Sequence, residues 1–303
     1  MADLRKPVPP VPPVSSLRSA LSSSLPKREV ATREFVFSTT DFERVRKLIY
    51  QHAGISLSPV KQDMVYSRLA RRLRATGKQT FAEYLDALEK NGGDEWERFV
   101  NSLTTNLTSF FREPHHFPIF AEHLRKLGNR RPIRIWCSAA STGEEPYSIA
   151  ITVLETFGAN ASHVSIIASD LDTNVLATAQ KGVYPIERVE KLSPERLRKF
   201  FLRGTGAQEG FVSVRPELKS LIQFQRLNLL DQSYAVKGPL DVIFCRNVMI
   251  YFDKPTQYKI LARFAPLMQP DGLMFAGHSE SFLHAADLFK SQGKTVYTLA
   301  NPR

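Results

Sequence analysis

Arg134-Ile135-Trp136-Cys137-Ser138-Ala139-Ala140-Ser141-Thr142-Gly143-Glu144-Glu145-Pro146-Tyr147-Ser148-Ile149-Ala150 runs from an apolar strand through a turn with one glycine into a helix. In an open α/β sheet such a turn lies at the carboxyl end of a central strand, where the helix N-terminus faces a ligand. The side chains of the turn therefore report which ligand is tolerated. Glu144 and Glu145 stand in the first helical turn; they suit the positive end of the helix dipole but repel a phosphate, which disfavours a dinucleotide.

The next strand, Val164-Ser165-Ile166-Ile167-Ala168-Ser169-Asp170, is β-branched and ends in an acid, at the place where this kind of fold offers a carboxylate to ribose hydroxyls. Asp170 is the ribose candidate. Its alternative role is as a helix N-cap, because Asp172 and Thr173 precede the helical pattern Val175-Leu176-Ala179. An adenosine cofactor without phosphate, carrying an ammonium and a sulfonium, would meet Glu144 and Glu145 favourably. S-adenosylmethionine fits that description.

Strands and helices alternate on either side of these segments. Strands are expected at 133–138, 164–169, 222–226, 240–245, 272–277 and 295–299, and helices at 143–157 and 173–181, which makes a doubly wound, mostly parallel α/β sheet. One stretch interrupts it. Phe211-Val212-Ser213-Val214-Arg215 alternates with period two among Gly204, Gly206, Gly210 and Pro216, and predicts a small antiparallel β-subdomain inserted at about 203–220. A free edge there could accept an extended peptide as an added strand.

Upstream, the pattern is helical. Thr40 and Glu43 read as a capping box before Phe42, Val45 and Ile49; Ser58-Pro59 opens a second helix that stops at Gly77; Thr80 with Glu83 caps a third; Asp94 to Leu103 forms another. Residues 31–127 are expected to form an all-helical domain and 128–303 the sheet domain. Residues 1–30 contain Pro7-Val8-Pro9-Pro10-Val11-Pro12-Pro13 followed by serines, a composition that cannot bury a core, and are expected to be a disordered tail.

The chain has 303 residues, 43% of them hydrophobic and 23% charged, as in an ordinary soluble protein. Cys137 and Cys245 both fall in apolar strands, which supports neither a disulfide scaffold nor a thiolate metal site. His115 and His116 are expected to diverge on a helix and His278 stands alone, so no metal is expected. The apolar runs suit neither export nor membrane spanning, and a cytoplasmic protein is the simplest expectation. The net charge of +11 implies an acidic partner. The sharpest bias lies on the second helix, where Lys61, Arg68, Arg71, Arg72, Arg74 and Lys78 face one acid, Asp63. That face is either a docking surface or a solvated one.

Six motifs, in order, resemble the CheR family of chemotaxis receptor (protein-glutamate) O-methyltransferases: Asn106-Leu107-Thr108-Ser109-Phe110-Phe111-Arg112, Ala139 to Ser148, Ala168-Ser169-Asp170, Asn228-Leu229-Leu230, Phe244 to Phe252, and Ala276-Gly277-His278-Ser279-Glu280. The resemblance spans residues 35–300. It implies transfer of a methyl group from S-adenosylmethionine, leaving S-adenosylhomocysteine, to glutamates on the acidic cytoplasmic helical bundle of chemoreceptors. The helical domain would contact the receptor. The resemblance also implies that Asn106, Thr108, Arg112, a glutamate of the Glu144-Glu145 pair, Asp170, Asn228, Leu229, Arg246 and Asn247 line the cofactor site, and that the β-subdomain belongs to the kind that docks a receptor C-terminal peptide. Of the two glutamates, about 100° apart on the helix, one is expected to face solvent or cap the helix.

A glutamate nucleophile, with a reference pKa near ~4.3, is ionised at neutral pH and needs no general base. Arg112 could hold the incoming carboxylate with its planar fork and Tyr251 could orient it; for Tyr251 the alternative is packing within Met249-Ile250-Tyr251-Phe252. Two other readings compete with this one. A nucleic-acid methyltransferase would explain the charge, but Arg246-Asn247-Val248 replaces the Pro-Pro-Tyr/Phe element of amino-methylating enzymes and there is no aromatic-rich basic groove for stacking bases, so no nucleic acid is expected. A non-enzymatic cofactor-binding scaffold is opposed by intact motifs at each cofactor position. A monomer without membrane insertion is expected.

Overall fold

The structure is a computed structural model that describes residues 33–129 and 131–302; the proline-rich stretch lies outside the described residues. Phe37–Arg303 forms one unit. Its first part is four helices: α1 (Thr39–Ala53), α2 (Gln62–Thr76) after a 3-10 turn at Pro59–Lys61, α3 (Phe81–Asn91) and α4 (Asp94–Leu103). Thr80 caps α3, accepting from the Glu83 amide at 3.1 Å. The cap of α1 differs from the expected Thr40 and Glu43. Ser38 accepts from the Asp41 amide at 3.0 Å and Asp41 returns the bond to the Ser38 amide at 2.9 Å, so the box is built two residues earlier and Thr40 is already helical. The apolar stripes of the four helices, among them Phe42, Val45, Ile49, Val65, Leu69, Leu73, Phe81 and Phe99, are buried against one another, each contributing about 1.5–3 kcal/mol.

Residues up to 127 are expected in the helical domain, but α5 (His116–Leu127) packs with the sheet. Its Phe120 meets Phe244 edge-on at 5.2 Å between ring centroids, and α5 lies against α6 (Glu144–Phe157).

The remaining strands and helices are β1 (Ile133–Cys137), which precedes α6, then β2 (Val164–Asp170), α7 (Thr173–Lys181), β3 (Val183–Pro185), α8 (Pro194–Phe200), β4 (Phe201–Arg203), β5 (Phe211–Val214), α9 (Pro216–Lys219), β6 (Ile222–Arg226), β7 (Leu240–Cys245), α10 (Lys254–Phe264), β8 (Met268–Ala276), β9 (Phe289–Ser291) and β10 (Val296–Leu299). The large sheet runs β6-β2-β1-β7-β8-β10-β9. Its first five strands are parallel, and β10 is antiparallel to both neighbours. The order reverses between β1 and β7, and a crevice opens there at the carboxyl ends of the strands.

The inserted subdomain is larger than the expected 203–220. It is a three-stranded antiparallel sheet in the order β3-β5-β4, so it starts at Val183, directly after α7. Its first strand, which sequence reading missed, has three residues and ends in Pro185. Proline interrupts a strand pattern, yet it is tolerated here because β3 is an edge strand.

Candidate active site

The site is built at the end of β1. Ser138 and Ala139 leave the strand, Ser141 turns with φ 49°, and Gly143 takes φ 101°. A Cβ at Gly143 would lie 2.6 Å from the Tyr184 hydroxyl, which donates to the Thr142 carbonyl at 2.8 Å; only glycine admits both the conformation and the approach. Asp170, at the tip of the neighbouring β2, closes the same turn. Its two oxygens accept from the amides of Ser141 at 2.8 Å and Asp172 at 3.0 Å. Burial pushes the Asp170 carboxyl above its ordinary range. Asp172, not Asp170, is the N-cap of α7, accepting from the amides of Asn174 and Val175; Asp170 is thereby left facing the crevice.

One cavity brings together Asn106, Thr108, Arg112, Glu145, Asp170, Asn228, Leu229, Arg246, Asn247 and Tyr251. Of the Glu144-Glu145 pair Glu145 is the one on its wall; Glu144 is absent from it, and neither faces solvent nor caps the helix as one of the pair was expected to do. Glu144 is fully buried, pairs with Arg188 and accepts from the Thr142 hydroxyl at 2.6 Å. Glu145 carries the cavity side, receiving Arg246 Nη1 at 2.6 Å and the Cys137 thiol at 3.4 Å.

Arg246 is the electrostatic centre of the floor. Its side chain is wholly buried between Glu145 and Glu113, whose Oε2 is 3.3 Å from Nη2. Burial raises the Glu113 carboxyl, but the Arg246 charge, with hydrogen bonds from His278 and Asn247, outweighs it and holds Glu113 down at about 2. Burial, and then the same Arg246 charge, pushes His116 down to about 4, so it is neutral at pH 7. His115 and His116 do not diverge as expected. Their rings lie 4.2 Å apart between centroids, and with Glu113 they bring donor atoms within 4.8 Å of one another. The Arg246 guanidinium already supplies the positive charge beside that carboxylate.

Several residues of this site were not legible. Glu113 belongs to no expected role, and Ala53, Ile55, Leu57 and Met64 from the helical part form one wall; apolar residues between α1 and α2 gave no chemical signal. The basic face of α2 is also divided. Lys61 lines the cavity, with Nζ 5.6 Å from the centre of the Tyr251 ring. Arg72 is held by Glu95 at 2.6 Å, and Arg68 donates to the carbonyl of Thr104 at 2.5 Å. Arg74 is exposed. Arg71 remains exposed beside Arg68, Arg72 and Arg98 in a shallow groove completed by Asn101, Ser102 and Asn174.

Two family models match the chain: the all-alpha domain of CheR methyltransferases at residues 40–104 and their SAM binding domain at residues 106–298. The chain belongs to the CheR methyltransferase family. It is similar to the chemotaxis protein methyltransferase of Salmonella typhimurium, with 51% identity over 93% of this chain and 100% of that one. It is equally similar to chemotaxis protein methyltransferase 2 of Pseudomonas aeruginosa, with 51% identity over 92% and 100%. A probable chemotaxis protein methyltransferase of Rhizobium etli is 40% identical over 82% and 96%. The two CheR models meet just after α4, at the start of the loop that carries Asn106, Thr108 and Arg112. This CheR protein is a methyltransferase that uses S-adenosylmethionine, and the donors present fit that group. Asp170 keeps unshared lone pairs on the crevice side, the buried Nε of Arg246 lacks a hydrogen-bond partner among the described residues, and apolar Leu229, Val248 and Phe252 flank them. No helix among the described residues is long and apolar enough to cross a membrane.

Proposed function

We propose that the protein methylates glutamate side chains of chemoreceptor cytoplasmic domains, forming glutamyl methyl esters during adaptation. The carrying observation is that Arg112, Tyr251 and Lys61, three groups able to meet a carboxylate, share one cavity wall with the cofactor residues. S-adenosylmethionine supplies an electrophilic methyl group on a sulfonium. The acceptor carboxylate is ionised at neutral pH, so the chain's task is alignment and exclusion of water. Burial raises the Tyr251 hydroxyl above its ordinary value, which keeps it a proton donor; it now donates to the Thr105 carbonyl at 3.2 Å. Arg112 is anchored through the Leu107 carbonyl at 2.7 Å, and its remaining donors are available to the carboxylate. Labelled methyl should pass from S-adenosylmethionine to a chemoreceptor fragment. It should not pass to the same fragment with its candidate glutamates replaced by alanine; labelling that survives the replacement would refute a glutamate acceptor.

The acidic receptor bundle meets the basic surface beginning beside the cavity. Arg68 reaches Thr105 at 3.3 Å, and Thr105 lines the cavity, so the arginine groove of α2 and α4 continues from the mouth. Among the described residues neither Arg71 nor Arg98 has an ion-pair partner, which makes them better probes than the internally committed Arg68 and Arg72. Arg71→Glu with Arg98→Glu should raise the receptor KM about tenfold, roughly 1.4 kcal/mol, leave cofactor affinity unchanged, and lessen the salt dependence. Unchanged KM in steady-state assays would remove this surface from the reading. A receptor C-terminal peptide would add to a free edge of the β3-β5-β4 sheet, whose Leu202 and Phe211 are 44% and 42% exposed. One copy of the chain suffices for these contacts, and a cytoplasmic location follows from the substrate.

A further inference from the structure

The segment Gly277-His278-Ser279-Glu280 after β8 contributes nothing to the cavity wall, yet Glu280 is only 4% exposed. Its Oε2 accepts from the amides of Asn247 at 2.9 Å and Gly277 at 2.5 Å, and its Oε1 from the amide of Met249 at 2.7 Å. One carboxylate thus ties the end of β8 to the chain that leaves β7. That chain turns sharply: Asn247, a non-glycine residue, has φ 58°, a left-handed conformation that asparagine tolerates and that its surroundings hold in place. It also carries a residue from each half of the site. Asn247 lines the cavity and donates to Glu113 at 3.2 Å, while the Met249–Tyr251 turn delivers Tyr251. Gly277 presses on the same segment from another side, since a Cβ there would lie 2.3 Å from Asn247 Nδ2.

We infer that Glu280 is a positioning residue for methyl transfer: by clamping the backbone of Asn247 and Met249 it sets Asn247 toward the cofactor and Tyr251 toward the acceptor carboxylate. This rests on the proposed methyl transfer. A carboxylate suits the task because three amides need an acceptor with two oxygens. Glutamine of the same shape has one, and its NH2 would face an N–H.

The test uses the full chain, with wild-type transfer to the receptor fragment as control. Glu280→Gln, checked for folding by circular dichroism, should lose about 10- to 100-fold in kcat, the scale of a small misalignment. Gly277→Ala, which keeps the carboxylate but displaces Asn247, should raise KM for S-adenosylmethionine by a similar factor. A Glu280→Gln protein with wild-type kcat and KM, or with a loss no greater than its unfolded fraction, would overturn the inference. If Glu280→Gln does not fold, wild-type constants for Gly277→Ala overturn it and a raised KM supports it. A wild-type chain that transfers no methyl refutes the proposed function instead, whatever Glu280 does.

Discussion

Arg246→Met is expected to lower stability by about 3–5 kcal/mol, the cost of stranding buried partners of a removed charge, and to weaken cofactor binding with it. The arginine is fully buried and holds Glu145 at 2.6 Å and Glu113 at 3.3 Å; methionine fills its volume but leaves two carboxylates facing each other in a desolvated floor. Urea denaturation monitored by circular dichroism gives the number. Arg72→Met should cost far less, about 1 kcal/mol, because the Arg72 and Glu95 side chains are 18% and 19% exposed and retain access to water. The pH dependence separates the two states of the floor. In the wild type Glu113 is held down at about 2, so its contribution is complete above the unfolded value near ~4.3 and disappears as pH falls toward 2. Without Arg246 the carboxylates favour the protonated form when folded, so the stability gap between variant and wild type should narrow as pH falls. A constant gap from pH 7 to 4 would show that Arg246 acts through packing alone.

Asp170→Asn is expected to weaken S-adenosylmethionine binding by about 10- to 100-fold, the value of a charged hydrogen-bonding group of about 1.5–3 kcal/mol, and to lower stability by about 1–3 kcal/mol as well, because asparagine has one oxygen for the two amides of Ser141 and Asp172. Isothermal titration with the cofactor, beside a thermal melt, measures both. The carboxylate is desolvated, which raises it above its ordinary value. In the window between those two values the folded chain holds a proton that the unfolded chain has released, so this group costs stability as pH rises through the window. Binding runs the other way: the ionised form takes the ribose, and affinity should fall on acidification at a higher pH than an exposed aspartate, near ~3.9, would produce. Unaltered affinity in Asp170→Asn would assign the carboxylate to the Ser141 turn alone.

What sequence reading could see was local. The strand, turn and helix around Gly143, the acid ending β2 and the order of the motifs each follow from neighbouring residues, and they place ten of the expected cofactor and catalytic positions on one cavity. The misread α1 cap, Ser38 with Asp41, is a local choice between two similar boxes; most other misreadings turn on partners far along the chain. Which of Glu144 and Glu145 turns to the cavity was not legible because Arg188, which pairs with Glu144, comes 44 residues later. Arg72 looked like part of a docking face because Glu95 lies on α4. The first strand of the β-subdomain is three residues ending in proline, too short for periodicity to register, and becomes a strand only by pairing Tyr184 with Val212. Glu113 looks like an ordinary surface acid in the sequence and Glu280 ends a motif without a role of its own; burial against Arg246 and against three backbone amides gives them their parts.

The most direct single measurement is the alkali lability of methyl label placed on a chemoreceptor fragment by the wild-type protein. Carboxyl transfer predicts that brief alkali releases the label as volatile methanol, because an ester hydrolyses where an amine-bound methyl does not. Label that stays on the protein through alkali would contradict transfer to glutamate and point to nitrogen as the acceptor.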